Sequence, residues 1–501
     1  MYLGIDCGTQ GTKAMVWDSA TRRVLGSGYS TYPLYSDGRG RREQDPADWI
    51  TALMQSTRQA LSLAALPPAA IKGIGISGQQ HGLVLLDQHD VVIRPAKLWC
   101  DTEPAALLNE FIARYFTSPQ PTLADVLGIH VPVAFTLAKL LWIQRHEPDN
   151  YAKIRKIMLP HEFLSFWLTG EYRSEFSDAS GTGYFDTYRR CWSELVLDRV
   201  DNGRPFALPE LISSSTPFGA LRPAAAMVLG LESGTLVASG GGDNMMSAIG
   251  SGNIQEGLLT MSLGTSGTLF TYTDKQIDSR AHPDINAFCS STNGWLPLVS
   301  TMNVTNVTTA FRLLLSKSLD EFEHSLEQSE PGAGGIQCMP FLNGARLPNL
   351  PNATASLLGI TTNNFNDNNL LRSVVEGVTF NLCHGIEILS RCNLQFKQVN
   401  VTGGGSNSVK WRRIIADVSG LCVVKSRFSD TGALGAALQA QWCYFRQSNQ
   451  GVSLSDICLP SGLIDDDSVM YPQPEANLRY RDIYQRYQQQ LATYQQQFRQ
   501  S

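Results

Sequence analysis

Two aspartates occupy positions at which a charged side chain is unexpected unless it takes part in binding or catalysis. Asp6 ends the apolar stretch Y-L-G-I, and Asp243 follows three glycines at the start of a helix-like segment. Because a buried carboxylate is costly unless it is paired or metal-bound, Asp6 is a candidate to support a Mg²⁺ ion on nucleotide phosphates, through water. A carboxylate placed like Asp243 orients a hydroxyl and accepts its proton in phosphoryl transfer. The structural alternatives are an Asp6 that accepts hydrogen bonds from the following turn and an Asp243 that caps a helix.

The same glycine-rich turn occurs twice, once in each half of the chain. G-T-Q-G-T (8–12) and G-T-S-G-T (264–268) each follow an apolar strand pattern and precede another. Glycine allows such a turn to direct backbone amides at an anion, although a single copy is more simply a plain hairpin. Two copies in register predict two loops that face one polyphosphate from opposite walls. The candidate phosphate-binding residues are Gly8, Thr9, Thr12, Lys13, Gly264 and Thr265.

A third glycine turn, T-G-G-G-S-N, follows a predicted strand in the second half. Gly403, Gly404, Gly405 and Asn407 suit the adenosine and α-phosphate side of a nucleotide, against a helix N-terminus. The spacing matches neither the P-loop nor the dinucleotide-binding fingerprint, so this turn is not specific on its own.

Two further segments suit a substrate that carries several hydroxyls. In S-G-Q-Q-H-G the amide of Gln80 and the imidazole of His81 lie between glycines, and L-W-C-D-T-E supplies Trp99 and Asp101. Amide, imidazole and carboxylate groups exchange hydrogen bonds with hydroxyls, and an indole can cover a sugar face. A structural His81, a core Trp99 and a helix-capping Asp101 are the alternatives.

Length and composition narrow the class of protein. A chain of 501 residues exceeds the size at which one hydrophobic core stops growing, so two domains are expected. The net charge of −5 and the lack of a basic run predict no nucleic-acid and no membrane partner. The N-terminal residues have no signal-peptide pattern, and the ten cysteines form no C-x-x-C pair. We therefore expect a cytoplasmic protein without structural zinc.

The elements that must position these residues repeat in the same order. Each half opens with a strand hairpin and continues with a helix and a short strand, so the predicted fold class is mixed α/β. We place the boundary near residue 250, with a ligand cleft between domains 1–250 and 251–501. Asp45 is the expected N-cap of the first helix. The C-terminal segment predicts a docking helix with the apolar stripe Tyr480, Tyr484, Tyr487, Leu491, Tyr494 and Phe498.

On these motifs the sequence resembles the FGGY carbohydrate kinases nearly from end to end. The matching segments include G-I-D-C-G-T-Q-G-T-K, R-E-Q-D-P-A-D-W, S-G-Q-Q-H-G, L-W-C-D-T-E, G-G-G-D-N, M-S-L-G-T-S-G-T and V-T-G-G-G-S-N-S. The resemblance implies an actin-like ATPase fold: two ribonuclease-H-like domains, made of mixed sheets flanked by helices, around a deep cleft. It implies ATP and Mg²⁺ as cofactors, phosphorylation of D-xylulose at its 5-hydroxyl, and assembly as a homodimer.

The resemblance also assigns roles. It implies that Asp243 is the proton acceptor, that Gln80 and His81 bind the sugar, and that Asn244 contacts a sugar hydroxyl. Asp6 would support magnesium–phosphate geometry, while the second and third glycine turns would hold ATP. The first domain would bind the sugar and the second the nucleotide. In one place the chain departs from the family: Ala345 stands where relatives often carry Glu, which predicts a looser loop near the nucleotide.

Two classes of alternative stay open at this point. One is an FGGY kinase for ribulose, gluconate or glycerol, although S-G-Q-Q-H-G together with L-W-C-D-T-E favours D-xylulose over glycerol. The other is a non-catalytic regulator that binds sugar or ATP. A regulator is expected to carry a DNA-binding helix-turn-helix, whereas this sequence starts directly at a predicted strand.

Overall fold

Both halves of the chain form a mixed β-sheet with helices packed against it. The computed structural model describes residues 1–459 and 462–499. The strands of the first half are β1 (Tyr2–Cys7), β2 (Gly11–Asp18), β3 (Arg23–Thr31), β4 (Tyr35–Ser36), β5 (Arg42–Gln44), β6 (Gly73–Gly78), β7 (Val84–Leu86), β8 (Ala96–Lys97), β9 (Lys156–Met158), β10 (Arg173–Glu175), β11 (Phe185–Asp186), β12 (Cys191–Trp192), β13 (Glu210–Ile212), β14 (Gly219–Ala220), β15 (Leu236–Val237) and β16 (Gly241–Gly242). Those of the second half are β17 (Leu258–Ser262), β18 (Gly267–Phe270), β19 (Asn286–Cys289), β20 (Trp295–Thr301), β21 (Gln337–Met339), β22 (Ser356–Leu358), β23 (Gln398–Thr402), β24 (Cys422–Ser426) and β25 (Ile464–Met470).

The helices alternate with these strands. They are α1 (Pro46–Ala64), α2 (Ala105–Tyr115), α3 (Leu123–Leu127), α4 (Thr136–His146), α5 (Pro148–Lys153), α6 (Pro160–Thr169), α7 (Phe176–Ala179), α8 (Glu194–Asp201), α9 (Pro223–Leu229), α10 (Asp243–Gly250), α11 (Thr305–Leu314), α12 (Leu319–Gln328), α13 (Asp367–Ser390), α14 (Val409–Ser419), α15 (Thr431–Gln447), α16 (Leu454–Cys458) and α17 (Pro474–Arg499). Short 3-10 helices cover Pro68–Ala70, Ala333–Gly335 and Gly404–Asn407.

The first sheet places the first glycine turn beside the end of a parallel strand. Its strand order is β14-β15-β6-β1-β2-β3, and β16 also pairs with β6. Strands β1, β2 and β3 are antiparallel, as the sequence predicts, whereas β6 runs parallel to β1 and pairs Ser77 with Asp6. Strand β15 ends at Val237, Gly240 then has a φ of +72°, and the chain pairs with β6 again as β16.

The second sheet repeats this arrangement. Its order is β19-β20-β18-β17-β23-β24-β25, with β17 antiparallel to β18 and β23 parallel to β17. Strands β17, β18 and β23 therefore correspond to β1, β2 and β6 of the first sheet. The two glycine turns occupy equivalent positions, each between the first two strands of its sheet. The glycine-ended strand β23 forms where the sequence predicts it, and the long helix α13 precedes it along the chain.

Helix α15 comes from the second half of the sequence but packs against the first sheet and against α10. A Cβ on Gly4 of β1 would lie 1.9 Å from the carbonyl oxygen of Ala433, and one on Gly75 of β6 would lie 1.9 Å from that of Ala436. Glycine is thus required at both positions for the helix backbone to lie directly on the strands. As a consequence, the N-terminal end of α15 lies beside the end of β1.

Local signals define the other helices that matter for the site. The side chain of Asp45 caps α1, as predicted, by accepting a hydrogen bond from the backbone amide of Ala47. Helix α17 docks on the hydrophobic core of the second half through the expected stripe of Tyr480, Tyr484, Tyr487, Leu491, Tyr494 and Phe498.

All ten cysteines are free thiols. None of the helices in residues 1–459 and 462–499 combines the length and apolar character required to cross a bilayer.

Candidate active site

Asp243 is the first residue of α10 and follows directly on β16, which pairs with the end of β6. The N-cap residue is Gly242, so the helix-capping alternative for Asp243 is not what the structure shows. Instead, its Oδ1 accepts hydrogen bonds from the backbone amide of Asn244 at 2.8 Å and from the side-chain amide of Asn244 at 2.9 Å. The side chain is only partly buried, which leaves the carboxylate open to a ligand.

The pKa of Asp243 is raised to about 7. Burial is the largest cause, and the negative charges of Asp6 and Asp178 add to it, whereas the hydrogen bonds from Asn244 act in the opposite direction. A carboxyl group whose pKa lies near physiological pH is suited to accept and release protons.

Asp6 lies at the end of β1 and accepts a 2.6 Å hydrogen bond from Ser77 Oγ on β6. The hydrogen bond to Asp6 therefore comes from a side chain of the neighbouring strand β6, and not from the turn that follows β1. Gly432, in the first turn of α15, approaches so closely that a Cβ there would lie 3.0 Å from the Asp6 carboxylate. Burial raises the pKa of Asp6, against the opposing effects of Ser77 and Lys13. The charge of Asp6 also contributes to the raised pKa of Asp243, so the two carboxylates interact electrostatically.

Asn244 connects Asp243 to the Gln80–His81 segment and to the second glycine turn. Its side-chain amide donates to Gln80 Oε1 at 2.7 Å as well as to Asp243. Its Oδ1 accepts a 3.0 Å hydrogen bond from Thr268 Oγ1, which belongs to the second half of the chain. The structure therefore brings Gln80, Asn244 and Asp243 together, and Thr268 is a member of the site that the sequence did not distinguish from the other hydroxyls of its turn.

His81 lies next to Gln80 and is almost fully buried. Its ring contacts the rings of Phe135 and Phe288, at centroid distances of 4.8 Å and 5.4 Å. Asp178 Oδ1 lies 3.1 Å from its Nδ1. Sequence reasoning missed Asp178, because nothing in S-E-F-S-D-A-S-G-T marks that aspartate as a neighbour of a histidine nearly one hundred positions earlier.

The structure revises the interpretation of Asp101. Its side chain is fully buried, and it accepts hydrogen bonds from the backbone amides of Arg42 and Glu103 and from Lys97 Nζ. Lys97 also pairs with Glu43 and Glu103, so the three carboxylates surround an ammonium group. Asp101 is therefore part of a buried ion-pair cluster and not a group that offers its oxygens to a sugar.

Trp99 is partly buried and packs against the hydrophobic core of the first half. Its Nε1 donates a 3.1 Å hydrogen bond to Thr9 Oγ1, and the guanidinium of Arg346 lies 5.7 Å from its ring centroid. The indole thus supports the first glycine turn, and Arg346 reaches it from the second half of the chain. A cation–π contact of this kind links the two halves.

The first glycine turn forms as expected, but not all of its hydroxyls are available. The amide of Gly8 closes the turn on the carbonyl of Gly11 at 3.1 Å, while the amides of Thr9 and Gln10 have no acceptor among the residues that the structure describes. Strand pairing sets Thr12 opposite Cys7 and buries its hydroxyl fully, so the hydroxyl is not open to a ligand in this arrangement. The backbone at the tip and Lys13 stay the more accessible candidates for anion binding by this turn.

Two further contacts define this turn. The hydroxyl of Thr9 donates to Gln79 at 3.2 Å and also accepts the Trp99 hydrogen bond, so it is engaged by the protein. Gln44, from the R-E-Q-D-P-A-D-W segment, donates to the Thr9 carbonyl at 2.7 Å. Lys13 forms an ion pair with Asp430, immediately before α15. In this arrangement the lysine charge is neutralised by a neighbour, not by a free anion.

The second and third glycine turns lie against each other. The amides of Thr265 and Ser266 have no acceptor within the described part of the chain. The same is true of the amides of Thr9 and Gln10 at the tip of the first turn. The Gly405 amide donates to the Leu263 carbonyl at 2.9 Å, and a Cβ on Gly403 would lie 2.9 Å from that same carbonyl.

Gly404 and Asn407 are exposed, and a Cβ on Gly404 would have no atom within 4 Å. The expected helix N-terminus is displaced, since the 3-10 helix intervenes and Ser408 caps α14 by accepting from the amide of Trp411. The open face of this turn is therefore formed by Gly404 and its neighbours, not by the end of α14.

Comparison with known proteins agrees with this arrangement. Residues 1–250 match the model of the N-terminal domain of the FGGY family of carbohydrate kinases, and residues 259–444 match that of its C-terminal domain. The chain is 44% identical over 500 residues to the xylulose kinase of Haemophilus influenzae, covering 97% of this chain and 98% of that protein. It is 33% identical over 450 residues to the xylulose kinase of Escherichia coli, covering 88% and 90%.

Solved structures give the same result for the fold. A "xyloylose kinase" from Brucella ovis is 30% identical and superimposes with a TM-score of 0.88 over 98% of this chain and 99% of that one. A ligand-bound xylulose kinase from Lactobacillus acidophilus has a TM-score of 0.89 at 22% identity, over 100% and 99% of the two chains. The expected actin-like fold of two domains is confirmed. By sequence and by fold, this chain is a member of the FGGY family of carbohydrate kinases.

Proposed function

We propose that this chain transfers the γ-phosphate of ATP to the 5-hydroxyl of D-xylulose, with Asp243 as the proton acceptor. The observation that carries the proposal is the hydrogen-bond network around Asn244. This one side chain bonds Asp243, the Gln80 loop and Thr268 of the second glycine turn. A base, a polyol-binding loop and a phosphate-binding turn thus share one small volume. Membership of the FGGY family and the xylulose kinase relatives support the same reaction.

One half of the chain binds the sugar and the other binds ATP, and we place the boundary between them at residue 250. Residues 1–250 supply Asp243 and the sugar contacts of Gln80, His81 and Asn244. Residues 251–501 bind ATP through the tip amides of the second turn and the open backbone of the third. Phosphate contacts from the first turn come from its tip amides and from Lys13, once that lysine exchanges Asp430 for a phosphate oxygen.

The chemistry follows from the position and pKa of Asp243. At neutral pH an appreciable fraction of this carboxyl is ionised, so it can accept a hydrogen bond from the 5-hydroxyl and orient that oxygen. As the oxygen bonds to the γ-phosphorus, the bond to ADP breaks and Asp243 takes the proton. Free amides on both glycine turns then stabilise the phosphoryl oxygens, and closure of the halves excludes water.

The acidic residues fit a magnesium ion. Asp6 and Asp243 lie close enough to affect each other electrostatically, and burial disfavours the charge on both, so a cation between them and the phosphates would relieve that cost. Asp6, with one oxygen bonded to Ser77, would hold Mg²⁺ through water. Bound Mg²⁺ would neutralise phosphate charge during transfer.

The proposal includes a cytoplasmic location, which the ten free thiols support because a reducing compartment keeps cysteines unpaired. A homodimer stays a prediction, and light scattering on the purified protein measures it directly.

A substrate panel tests the proposed function. The protein is assayed by coupled ADP release with ATP and D-xylulose, L-ribulose, D-ribulose, gluconate or glycerol, and Asp243→Ala provides the background. We expect the highest kcat/KM with D-xylulose and no turnover above background in the variant. A higher kcat/KM with another compound would reassign the substrate, and no ADP release with any of the five would point to a non-catalytic binding protein.

A further inference from the structure

The ring of His81 is held in one orientation by its surroundings. Its backbone has a φ of +63°, which is uncommon for a residue other than glycine. Phe135 and Phe288 contact its ring. Gly181 lies against the ring edge, where a Cβ would be 1.8 Å from His81 Cε1. This confinement leaves the ring little freedom to rotate.

The Asp178 carboxylate lies between two buried histidines. Its Oδ1 is 3.1 Å from His81 Nδ1, and its Oδ2 is 3.0 Å from His161 Nδ1. The contact to His161 has hydrogen-bond geometry, whereas that to His81 is within ion-pairing distance without full alignment. Both histidine side chains are at most 6% exposed and Asp178 is fully buried, so neither pairing is exchanged with water.

The pKa values of the two histidines are shifted in opposite directions. For His161, burial opposes protonation, but Asp178, Glu162 and Glu175 outweigh it and raise the pKa. For His81, burial is the largest effect and lowers the pKa. Burial also opposes the ionisation of Asp178, yet its two histidine partners hold its pKa below the ordinary value. These opposite directions favour the positive charge on His161 and a neutral His81.

A neutral histidine has one ring nitrogen that donates and one that accepts. The buried Nδ1 of His81 faces a carboxylate, which accepts hydrogen bonds only. The proton of the ring is thereby placed on Nδ1, and Nε2 retains its lone pair.

We propose that Asp178 is a positioning residue that sets the tautomer of His81, so that Nε2 accepts a hydrogen bond from a sugar hydroxyl. This inference rests on the proposed role of the Gln80–His81 loop in sugar binding. It adds the partner that decides whether the imidazole donates or accepts, and it predicts that the sugar presents a hydroxyl proton to this side chain. Asp178 itself touches neither the sugar nor ATP.

A double-mutant cycle tests this role. Asp178→Asn keeps the shape but removes the charge that holds the proton on Nδ1, and His81→Gln removes the imidazole. We expect Asp178→Asn to raise the KM for D-xylulose roughly 10–100-fold, as the loss of a partner that orients a functional histidine does, with the KM for ATP unchanged. In the His81→Gln background the same substitution should change that KM less than twofold. Additive effects of the two substitutions would overturn the proposal.

A matched control separates this role from general stabilisation. Glu162 is also buried beside His161 but bonds Ser174 and the backbone amide of Leu159, not His81. Glu162→Gln should leave the KM for D-xylulose unchanged. If Glu162→Gln raised that KM as much as Asp178→Asn does, the effect of Asp178 would be structural.

Nitrogen NMR on the wild-type protein provides a test that needs no turnover and no stable variant of Asp178. The protein has eight histidines, and the His81 signals are those lost in His81→Gln. We expect a protonated Nδ1 and an unprotonated Nε2 at neutral pH. A proton on Nε2 instead would overturn the proposal, even if D-xylulose is the substrate. The expected tautomer without any D-xylulose turnover would leave Asp178 as the positioning partner and reject the proposed function.

Discussion

At the scale of single residues, the pKa of Asp243 has consequences for stability as well as for chemistry. Its folded value of about 7 exceeds the ordinary value of 3.8, so between these two values the folded chain binds more protons than the unfolded one. The contribution of this group to stability is therefore complete below pH 3.8 and is lost as the pH rises through 7.

We predict that Asp243→Asn stabilises the ligand-free protein at pH 8, by an amount on the order of 2 kcal/mol, because the amide does not become charged. The gain should shrink toward pH 4, and thermal midpoints measured across this range check it. Asp87→Asn is the control with the opposite sign, since backbone amides of Val91 and His89 hold the pKa of Asp87 below its ordinary value. A gain for Asp243→Asn that did not depend on pH would contradict the assigned pKa.

The sequence identified residues best where the local pattern determines the environment. Asp6 and Asp243 stand out because an apolar strand or three glycines precede them. The sequence does not show that pairing opposite Cys7 buries the hydroxyl of Thr12, because the sheet decides that pairing. It does not show that Lys97 binds the oxygens of Asp101, or that Asp178 lies beside a histidine distant in sequence.

At the scale of elements, the open face of the third glycine turn makes a specific prediction about ATP. A Cβ on Gly404 meets no protein atom within 4 Å and requires no strained backbone, so Gly404→Ala should leave the thermal midpoint unchanged. If a nucleotide phosphate approaches this backbone, the same methyl should raise the KM for ATP roughly tenfold, since overpacking a close contact costs about 1–3 kcal/mol. Gly38→Ala, equally open but outside the site, is the control. An unchanged KM for ATP would remove the third turn from the nucleotide site.

The contact between α15 and the first sheet makes a prediction about stability. A Cβ on Gly75 would lie 1.9 Å from the Ala436 carbonyl oxygen, so Gly75→Ala must separate the helix from the strand. We expect a loss of at least about 1–3 kcal/mol in the free energy of unfolding. Chemical denaturation measures it, again with Gly38→Ala as the control. A loss no larger than that of the control would show that the helix does not lie on β6.

The order of elements was predictable, but their partners were not. Periodicity and capping residues predict the strand hairpins, the capped start of α1 and the apolar stripe of α17. That α15 packs on the sheet of the other half depends on small residues that match across hundreds of positions, such as Gly4 with Ala433. No local pattern contains that information.

At the scale of the whole molecule, side-chain contacts between the two halves converge on the site, among them Thr268 with Asn244, Phe288 with His81, and Arg346 with Trp99. The internal repeat in the sequence predicts two equivalent halves around a cleft. It does not predict these contacts, because they involve residues outside the repeated motif or side chains that the two copies do not share.

We predict that Thr268→Val lowers kcat/KM for D-xylulose roughly two- to tenfold, because a hydrogen bond of about 0.5–1.5 kcal/mol that orients Asn244 is lost while the shape is kept. Steady-state kinetics measure the change. Thr57→Val is the control, since its buried hydroxyl has no hydrogen-bond partner in the described part of the chain. Equal effects of the two substitutions would show that the bond across the halves has no role in the reaction.

The central claim is that the Asp243 carboxylate, held between the two halves, removes the proton from the sugar hydroxyl. The most direct measurement is turnover of Asp243→Asn at saturating ATP and D-xylulose, with binding of both substrates measured separately by calorimetry. We predict that kcat falls by about 10²–10⁴-fold, the range for loss of a general base, while both substrates still bind. Turnover close to that of the wild-type protein, with both substrates bound, would contradict the account.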